Sequence, residues 1–302
     1  MAFPLVVTKP FPRHVMITIF LYAMLAQAWN LLAGYCGQIS LGHAVFFGTG
    51  AYTSTLLLKY LNLTPWGGML AGVVVAVRPL AVHRLPGVQA ARPLLRHRHH
   101  RGGRDHRHPH DQLGLGGGAR GLFVPIKRPD SWLNFQFHES KQNYYYIALA
   151  LLVLALWITL RVERSRLGYY LRAIREDQDA AASLGIPVAA YKQRAMALSA
   201  GLTALGDLLR PVHSLHRPGV GVPDGAQHPH LPRGRARRGG HAVGPLVGAA
   251  ILIPLGEWTR ISFGGSGKAV DLLVYGALIM IVSVVQPGGI MALAGRGRRR
   301  TG

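Results

Sequence analysis

Long, mostly apolar runs constrain this chain more than any other feature, and the longest are Val15–Ala33, Tyr144–Leu160 and Val270–Val285. Each approaches the roughly 20 residues that a helix needs to cross the bilayer core. Shorter apolar stretches follow the same pattern at Ala44–Leu61, Trp66–Val77, Ala195–Leu209 and Gly244–Trp258. Lipid can cover so much apolar surface directly, whereas water would require an unusually large core. The sequence predicts an all-α, polytopic integral membrane protein, a bundle of transmembrane helices forming one domain over residues 1–302.

The first apolar run is longer than the hydrophobic region of a secretory signal, and no small-residue cleavage site clearly follows it. We therefore expect it to remain as an uncleaved first helix. The single cysteine, Cys36, excludes a disulfide within the chain and is interpreted as a small packing residue.

The formal charge of +22 is unusual for so apolar a chain, and it is not spread evenly: two segments, 78–118 and 206–243, are dense in basic residues. Both are rich in His, Arg, Pro and Gly, and they hold 12 of the 15 histidines. Apolar sequence stops at Val77 and resumes near Gly121, then stops at Leu205 and resumes at Gly244. The two segments therefore do not resemble the sequence around them.

Three interpretations fit the segment Arg96–Asp111, which reads RHRHHRGGRDHRHPHD. A His-rich tract can bind metal, but these histidines lack the paired helical spacing with acidic partners that a site needs. The positive charge alone would also suit nucleic acid or lipid headgroups. The third interpretation is that membrane sequence has been translated in a shifted reading frame.

The genetic code favours the third interpretation. Read one nucleotide later, a His codon followed by C encodes Ile or Thr, and an Arg codon of the CGN type encodes Ala, Val, Gly or Asp. With permitted codons, residues 91–117 become RGHYFAIATIAVAEIIAIRMTNWDWVG. Asp207–Gly219 similarly becomes TFYAQYILYIDP, and His241–Gly244 becomes TLWG. We therefore predict that 78–118 and 206–243 are frame-shifted and, as translated, disordered or poorly folded.

The distribution of arginine is consistent with a lost helix. Basic residues follow the span that ends near Leu160 and also the last span, which places both regions in the cytoplasm under the positive-inside rule: Arg161, Arg164, Arg166, Arg172, Arg175 and Arg296–Arg300. An even number of spans must separate them, yet the intact sequence offers three. A fourth helix within 220–240 would restore the count.

The stretch Asn30–Tyr52 combines small residues with polar side chains inside apolar sequence. Glycines allow close helix contacts and broken helices beside a cavity, and intramembrane polar groups often line a substrate path. Interhelical hydrogen bonding is the alternative role for any one of them. The candidate pathway residues are Asn30, Gly34, Gly37, Gln38, Ser40, Gly42, His43, Phe46, Gly48, Gly50 and Tyr52.

This stretch resembles the signature of the LivM-type permeases of branched-chain amino acid ABC transporters, N-L-x-x-G-Y-x-G-Q-x-S-L-G-H-A-x-F-x-G-x-G-A-Y. All the candidate pathway residues match it, as do Tyr35, Leu41, Ala44 and Ala51. The fold implied is that of the ABC importer permeases. The resemblance covers roughly 14–77, 119–205 and 244–290 directly, and the two charged segments match only after frame correction.

A cytoplasmic loop, 161–194, carries the second motif. Within Gly168–Lys192, two short helical pieces are expected on either side of a turn at Gly185-Ile186-Pro187. Asp179-Ala180-Ala181 followed by Gly185 resembles the E-A-A-x-x-x-G coupling motif of these permeases, with Asp in place of Glu. The resemblance implies that this loop docks on an ATPase subunit, and the predicted coupling residues are Arg172, Arg175, Glu176, Asp177, Asp179, Ala180, Ala181 and Gly185. A solvated juxtamembrane loop is the alternative.

Gly244 and Gly248 have the G-x-x-x-G spacing of close helix crossings. The stretch Gly244–Ile253 also resembles the W-G-P-L-x-G-A pattern of the family. The sequence contains no G-x-x-x-x-G-K-S/T phosphate loop, no G-x-S-x-G elbow, no H-E-x-x-H helix and no paired-cysteine motif. We expect no catalytic residue, no metal site and no cofactor.

The resemblance implies a multi-pass subunit of the bacterial inner membrane that imports leucine, isoleucine or valine and is not itself an enzyme. Its implied partners are a second permease, two cytoplasmic ATPase subunits, a periplasmic substrate-binding protein and the lipid bilayer, without nucleic acid. Three alternatives remain open: a permease for urea or short amides, a frame-shifted product without function, and a membrane-anchored basic protein that binds nucleic acid or metal.

Overall fold

The computed structural model describes residues 10–38, 40, 43–82, 142–206 and 242–263, with positions 132, 135, 137, 273, 274, 276, 277 and 280. All the regular structure in these residues is helical. The longer elements are α1 (Pro10–Asn30), α2 (His43–Leu61), α3 (Pro65–Val82), α4 (Gln142–Glu163), α5 (Arg166–Glu176), α6 (Gln178–Ser183), α7 (Val188–Leu205) and α8 (Gly244–Phe263). A π-helical turn, Leu31–Tyr35, continues α1.

The predicted all-helical character is confirmed over the described residues. Six of the seven apolar runs lie largely within these helices, and the seventh, Val270–Val285, lies mostly outside the described part of the chain. The predicted out-of-frame segments, 78–118 and 206–243, also lie almost entirely outside it. By length and composition, Phe11–Tyr35 and Gln142–Glu163 could cross a membrane, and Pro65–Arg78 is a shorter apolar helix.

Helix α1 lies at the centre of the described fold, where it packs against α4, α7 and α8. Its side chains Ala23, Met24 and Ala28 are completely buried, and the Phe20 ring meets Tyr145 of α4 edge to face at 5.2 Å. The Gln27 amide donates to the carbonyl of Ala242, immediately before α8. Helix α7 extends the core on the other side of α1 by packing against α2 and α3.

Buried hydroxyl groups in these helices bond within their own helix. Thr18, Thr159 and Thr203 each donate to the carbonyl four residues earlier, at 2.9, 2.9 and 2.8 Å. Such bonds satisfy a polar side chain where water is excluded. The polar residues of these helices are therefore compatible with an apolar environment.

Helices α2, α3 and α7 approach one another at glycines. A Cβ atom on Gly50 would lie 2.6 Å from the carbonyl oxygen of Ala204 on α7, and one on Gly72 would lie 3.1 Å from the Cα of Gly50. A Cβ on Gly68 would lie 2.9 Å from the Cα of Ser54. Only glycine allows backbones this close. The lack of side chains at Gly50, Gly68 and Gly72 lets α2, α3 and α7 pack in direct backbone contact.

Candidate functional site

The segment 30–52, called the pathway segment below, contains a break between two helices. After the π-helical turn, Gly37 adopts the left-handed conformation with φ +70°, and α2 begins at His43. The carbonyl of Leu32 accepts from both the Cys36 and the Gln38 amides, which closes the turn. Wide helical turns of this type are frequent at functional sites, because they release backbone groups from regular pairing.

His43 lies on the far side of this break and is completely buried where α1, α2 and α7 meet. Its Nε2 atom is 2.6 Å from the Ser199 hydroxyl of α7, and that hydroxyl donates to the carbonyl of Ala28 on α1. The Ser199 hydroxyl thus contacts both α2 and α1. The histidine therefore makes an interhelical hydrogen bond.

The remaining predicted pathway residues have mixed surroundings. Asn30 is buried at the start of the π-helical turn, and the Phe46 ring packs edge to face on His43 at 5.7 Å. The Ser40 carbonyl accepts from the Trp29 indole at 3.4 Å. Gly48 and Tyr52 are partly exposed on α2, and Gly42 lies outside the described residues. A pathway role for these residues stays a prediction.

Residues Asp177–Gly185, called the docking loop below after the role predicted for them, form a short helix with a defined cap at each end. At its start, the Asp177 carboxylate accepts from the backbone amides of Asp179 and Ala180 at 2.9 and 3.0 Å. At its end, Ile186 and Gly185 donate to the carbonyls of Ala181 and Ala182, the paired bonds of a Schellman motif. Gly185 has φ +82° there, which explains why a glycine is needed. The six residues of α6 are thus fixed despite its short length.

The docking loop presents most of its surface to solvent. Ala181 is buried, whereas Glu176, Asp179, Ala180 and Gly185 are exposed. Its most exposed apolar side chain is Leu184, 83% exposed at the tip.

Two of the predicted coupling residues turn inward instead. Arg172 donates to the backbone carbonyls of Glu163 and Gly168, at 2.8 and 3.3 Å. Arg175 donates from Nη1 to the carbonyl of Gly34 at 2.6 Å. Both arginines therefore join the loop to the helical core rather than extend toward a partner.

The contact with Gly34 brings the two sequence motifs together. A Cβ on Gly37 would lie 2.9 Å from Cγ of Arg175, so the arginine stem runs directly over the break in the pathway segment. A second bond joins the same region, because the buried Tyr35 hydroxyl donates to Glu163 at the end of α4 at 3.1 Å. The pathway segment and the coupling loop, predicted separately, are in direct contact.

Cys36 lies one residue beyond the apolar span Phe11–Tyr35, inside this contact region. Burial raises the pKa of its thiol from 9.0 to about 11, although the positive charge of Lys192 opposes the shift. A raised pKa lowers the thiolate fraction at neutral pH, and only the thiolate reacts with alkylating reagents. The lone cysteine of the chain is therefore a slow-reacting thiol whose labelling rate reports on packing here.

Within the part of the chain that the structure describes, no cluster of three or more His, Cys, Asp or Glu side chains could hold a metal ion. Gly244 and Gly248, the predicted packing pair on α8, have no described atom within 4 Å of a Cβ position. Their role in helix packing stays a prediction.

Sequence reasoning missed several residues at the site. Ser199 and Glu163 carry no motif, because each acts only through a neighbour from a distant part of the chain. Gly68 and Gly72, by contrast, have the same G-x-x-x-G spacing as Gly244 and Gly248. Their role in close helix packing could therefore have been predicted from the sequence.

A comparison with protein families finds a match over residues 12–79 and 117–223, more than half of the chain, to the family described as branched-chain amino acid transport system, permease component. The match includes the pathway segment and the docking loop. The chain belongs to this family. As a member of a permease family it is a membrane protein and a transport component, and the predicted resemblance is confirmed.

Two curated relatives are similar to this family member. It is 29% identical over 224 residues to the high-affinity branched-chain amino acid transport system permease protein LivM of Salmonella typhimurium strain LT2. It is 28% identical over 224 residues to the LivM protein of Escherichia coli strain K12. Each alignment covers 63% of this chain and 49% of the relative, so the chain spans about half the length of these relatives. No solved structure matches it.

Proposed function

We propose that this chain is a permease subunit of an ATP-driven importer for branched-chain amino acids in the bacterial inner membrane. The observation that carries the proposal is the direct contact between the pathway segment and the coupling loop, both within the family match. The subunit would supply one side of the pathway and one docking loop. A second permease, two cytoplasmic ATPase subunits and a periplasmic binding protein would complete the transporter.

In this mechanism the chain performs no covalent chemistry. ATP binding and hydrolysis occur on the ATPase subunits, which move the docking loop as a rigid body. Because α6 is capped at both ends, it can transmit a displacement without unwinding. The exposed side chains of Glu176, Asp179 and Leu184 would contact the ATPase.

We also propose that 78–118 and 206–243 are translated out of frame. The family match supports the first assignment, because it is interrupted between residues 79 and 117, almost the same limits. It does not support the second, because it continues to residue 223, inside that segment; the second assignment rests on the composition of 206–243. Restored segments would add apolar helices to a multi-pass bundle.

The transport assignment is tested by uptake. We expect cells that carry this subunit, with both frames restored, and its partner subunits to accumulate labelled leucine, isoleucine and valine in an ATP-dependent manner. Unlabelled urea and acetamide should not compete. Uptake of urea with no amino acid uptake would replace the cargo assignment, and uptake of neither class would contradict the transport proposal.

The docking role is tested at Leu184. Leu184→Asp places a charge at an apolar contact, and we expect about 30-fold lower uptake, the size of effect typical of a central interface residue. Because Leu184 is exposed, the thermal unfolding temperature should not change. Leu63→Asp, at a 45% exposed leucine in the turn between α2 and α3, is the matched control and should transport normally. Equal uptake by both variants would rule out docking through this tip.

A further inference from the structure

We propose that Arg175 is a positioning residue that transmits movement of the docking loop to the break in the pathway segment. The inference rests on the proposed transport function and extends it by assigning the connection between its two parts. Arg175 lies beside the docking loop and contacts the break at Gly34. A second set of contacts, through α7, joins the docking loop to His43.

Arg175 lies two residues before Asp177, whose carboxylate begins α6. Its helix, α5, packs against α4, α7 and the π-helical turn, with Gly168, Leu171 and Ile174 buried. The serine cap at Ser165 and the close approach of Gly168 to the Val162 carbonyl fix the other end of α5. A displacement of α6 therefore reaches Arg175 through two residues of backbone.

The Gly34 carbonyl that accepts from Arg175 lies in the last turn before the helix ends, where carbonyl groups lack a helical partner. A cation is also favoured at this end of a helix, since the carbonyl dipoles point toward it. Gly37 follows within three residues and leaves the space that the arginine stem occupies. The guanidinium thus holds the chain at the point where the helix breaks.

A second connection reaches the other side of the break. Lys192, near the start of α7, donates to the side chain of Gln178 in α6 at 2.9 Å. Further along α7, Ser199 bonds to His43, the first residue of α2. The helices on either side of the docking loop therefore contact the pathway segment at Gly34 and at His43, so movement of the loop can shift these two points relative to each other.

The test compares Arg175→Met and Arg175→Lys with Arg164→Met in the full chain with both frames restored, assembled with its partner subunits in membranes. Arg164 is exposed in the adjoining turn, so its replacement removes the same charge without touching Gly34. The first readout is the labelling rate of Cys36, the lone cysteine, with a membrane-permeant maleimide in the presence and absence of ATP. The second is uptake per ATP hydrolysed.

In Arg175→Met we expect Cys36 labelling to be about 10-fold faster and independent of ATP, because a charged hydrogen bond that packs over the break is lost. Uptake per ATP hydrolysed should fall about 10-fold while ATP hydrolysis continues. In Arg175→Lys, the Cys36 labelling rate and the uptake per ATP hydrolysed should both return part of the way to normal, since lysine retains the charge and a donor. Arg164→Met should match the unmodified chain.

A wild-type labelling rate with a normal ATP response in Arg175→Met would overturn the inference. So would a proportional fall in uptake and ATP hydrolysis, because it would indicate that Arg175 serves assembly alone. If the frame-restored transporter without further substitutions moves no branched-chain amino acid, the transport proposal fails separately. The role of Arg175 is then decided by Cys36 labelling alone: it is supported if labelling depends on ATP in the chain that keeps Arg175 but not in Arg175→Met.

Discussion

Restoration of the reading frame across codons 75–120 and 203–246 is expected to change this chain from a product without uptake into an active permease subunit. As written, the two segments place many Arg and His residues where the proposed frame correction gives apolar sequence. Each arginine costs about 2.5–3.5 kcal/mol at the bilayer centre on insertion scales, so neither segment should insert. The restored chain should support uptake of labelled leucine well above that of cells without it.

The control is a gene with the same number of synonymous changes and the original frame, which should remain inactive. Resequencing of the gene at high coverage shows whether single-base insertions or deletions are already present in the natural DNA. If the written sequence is correct and its product transports leucine as well as the restored one, the frameshift interpretation is wrong. The basic segments would then need a function of their own.

Gly50→Ala is expected to destabilise the protein strongly, although it adds only one methyl group. The new Cβ would lie 2.6 Å from the carbonyl oxygen and 3.0 Å from the Cα of Ala204, and neither backbone atom can move away alone. Helices α2 and α7 would have to separate, at a cost of about 1–3 kcal/mol or more. The apparent unfolding temperature in detergent, measured by size-exclusion chromatography after heating, should fall by several degrees.

Gly48→Ala is the matched control, since it adds the same methyl group to the same helix where no described atom lies within 4 Å. Alanine is a better helix former than glycine by about 1 kcal/mol, so this variant should be unchanged or slightly stabilised. An equal unfolding temperature for both variants would contradict the close contact. Normal stability with reduced uptake in Gly50→Ala would instead favour the pathway role predicted from sequence.

The apolar runs predicted the helices well, because a continuous apolar surface is a local property of the sequence. Gly244–Trp258 lies within α8, but the predicted Ala195–Leu209 starts seven residues after α7 begins at Val188. Helix ends are set by backbone pairing and caps rather than by hydropathy. The sequence predicted that Asp177 lies inside the first helical piece of the loop. Its backbone is instead extended and its carboxylate caps α6, so α5 and α6 are separate helices.

The connections of the candidate site were not predictable in the same way. Glycine-rich sequence at Asn30–Tyr52 indicated a broken or kinked helix, and the chain does break at Gly37. Nothing local indicates that Arg175 bonds to Gly34, 141 positions away, or that Ser199 bonds to His43, 156 positions away. An arginine after an apolar span indicates the cytoplasmic side of the membrane. It does not indicate which group the guanidinium bonds to.

The bond from Gln27 to Ala242 has a consequence for the order of biosynthesis. The two residues are 215 positions apart, and at about 5–20 residues per second a ribosome needs roughly 10–40 s to reach the second after the first. During that interval the central helix is in the bilayer without α8, and the Gln27 amide lacks its final acceptor. A nascent chain that stops before residue 242 therefore leaves this amide without the acceptor that the full chain provides, and an unsatisfied polar group in apolar surroundings costs free energy.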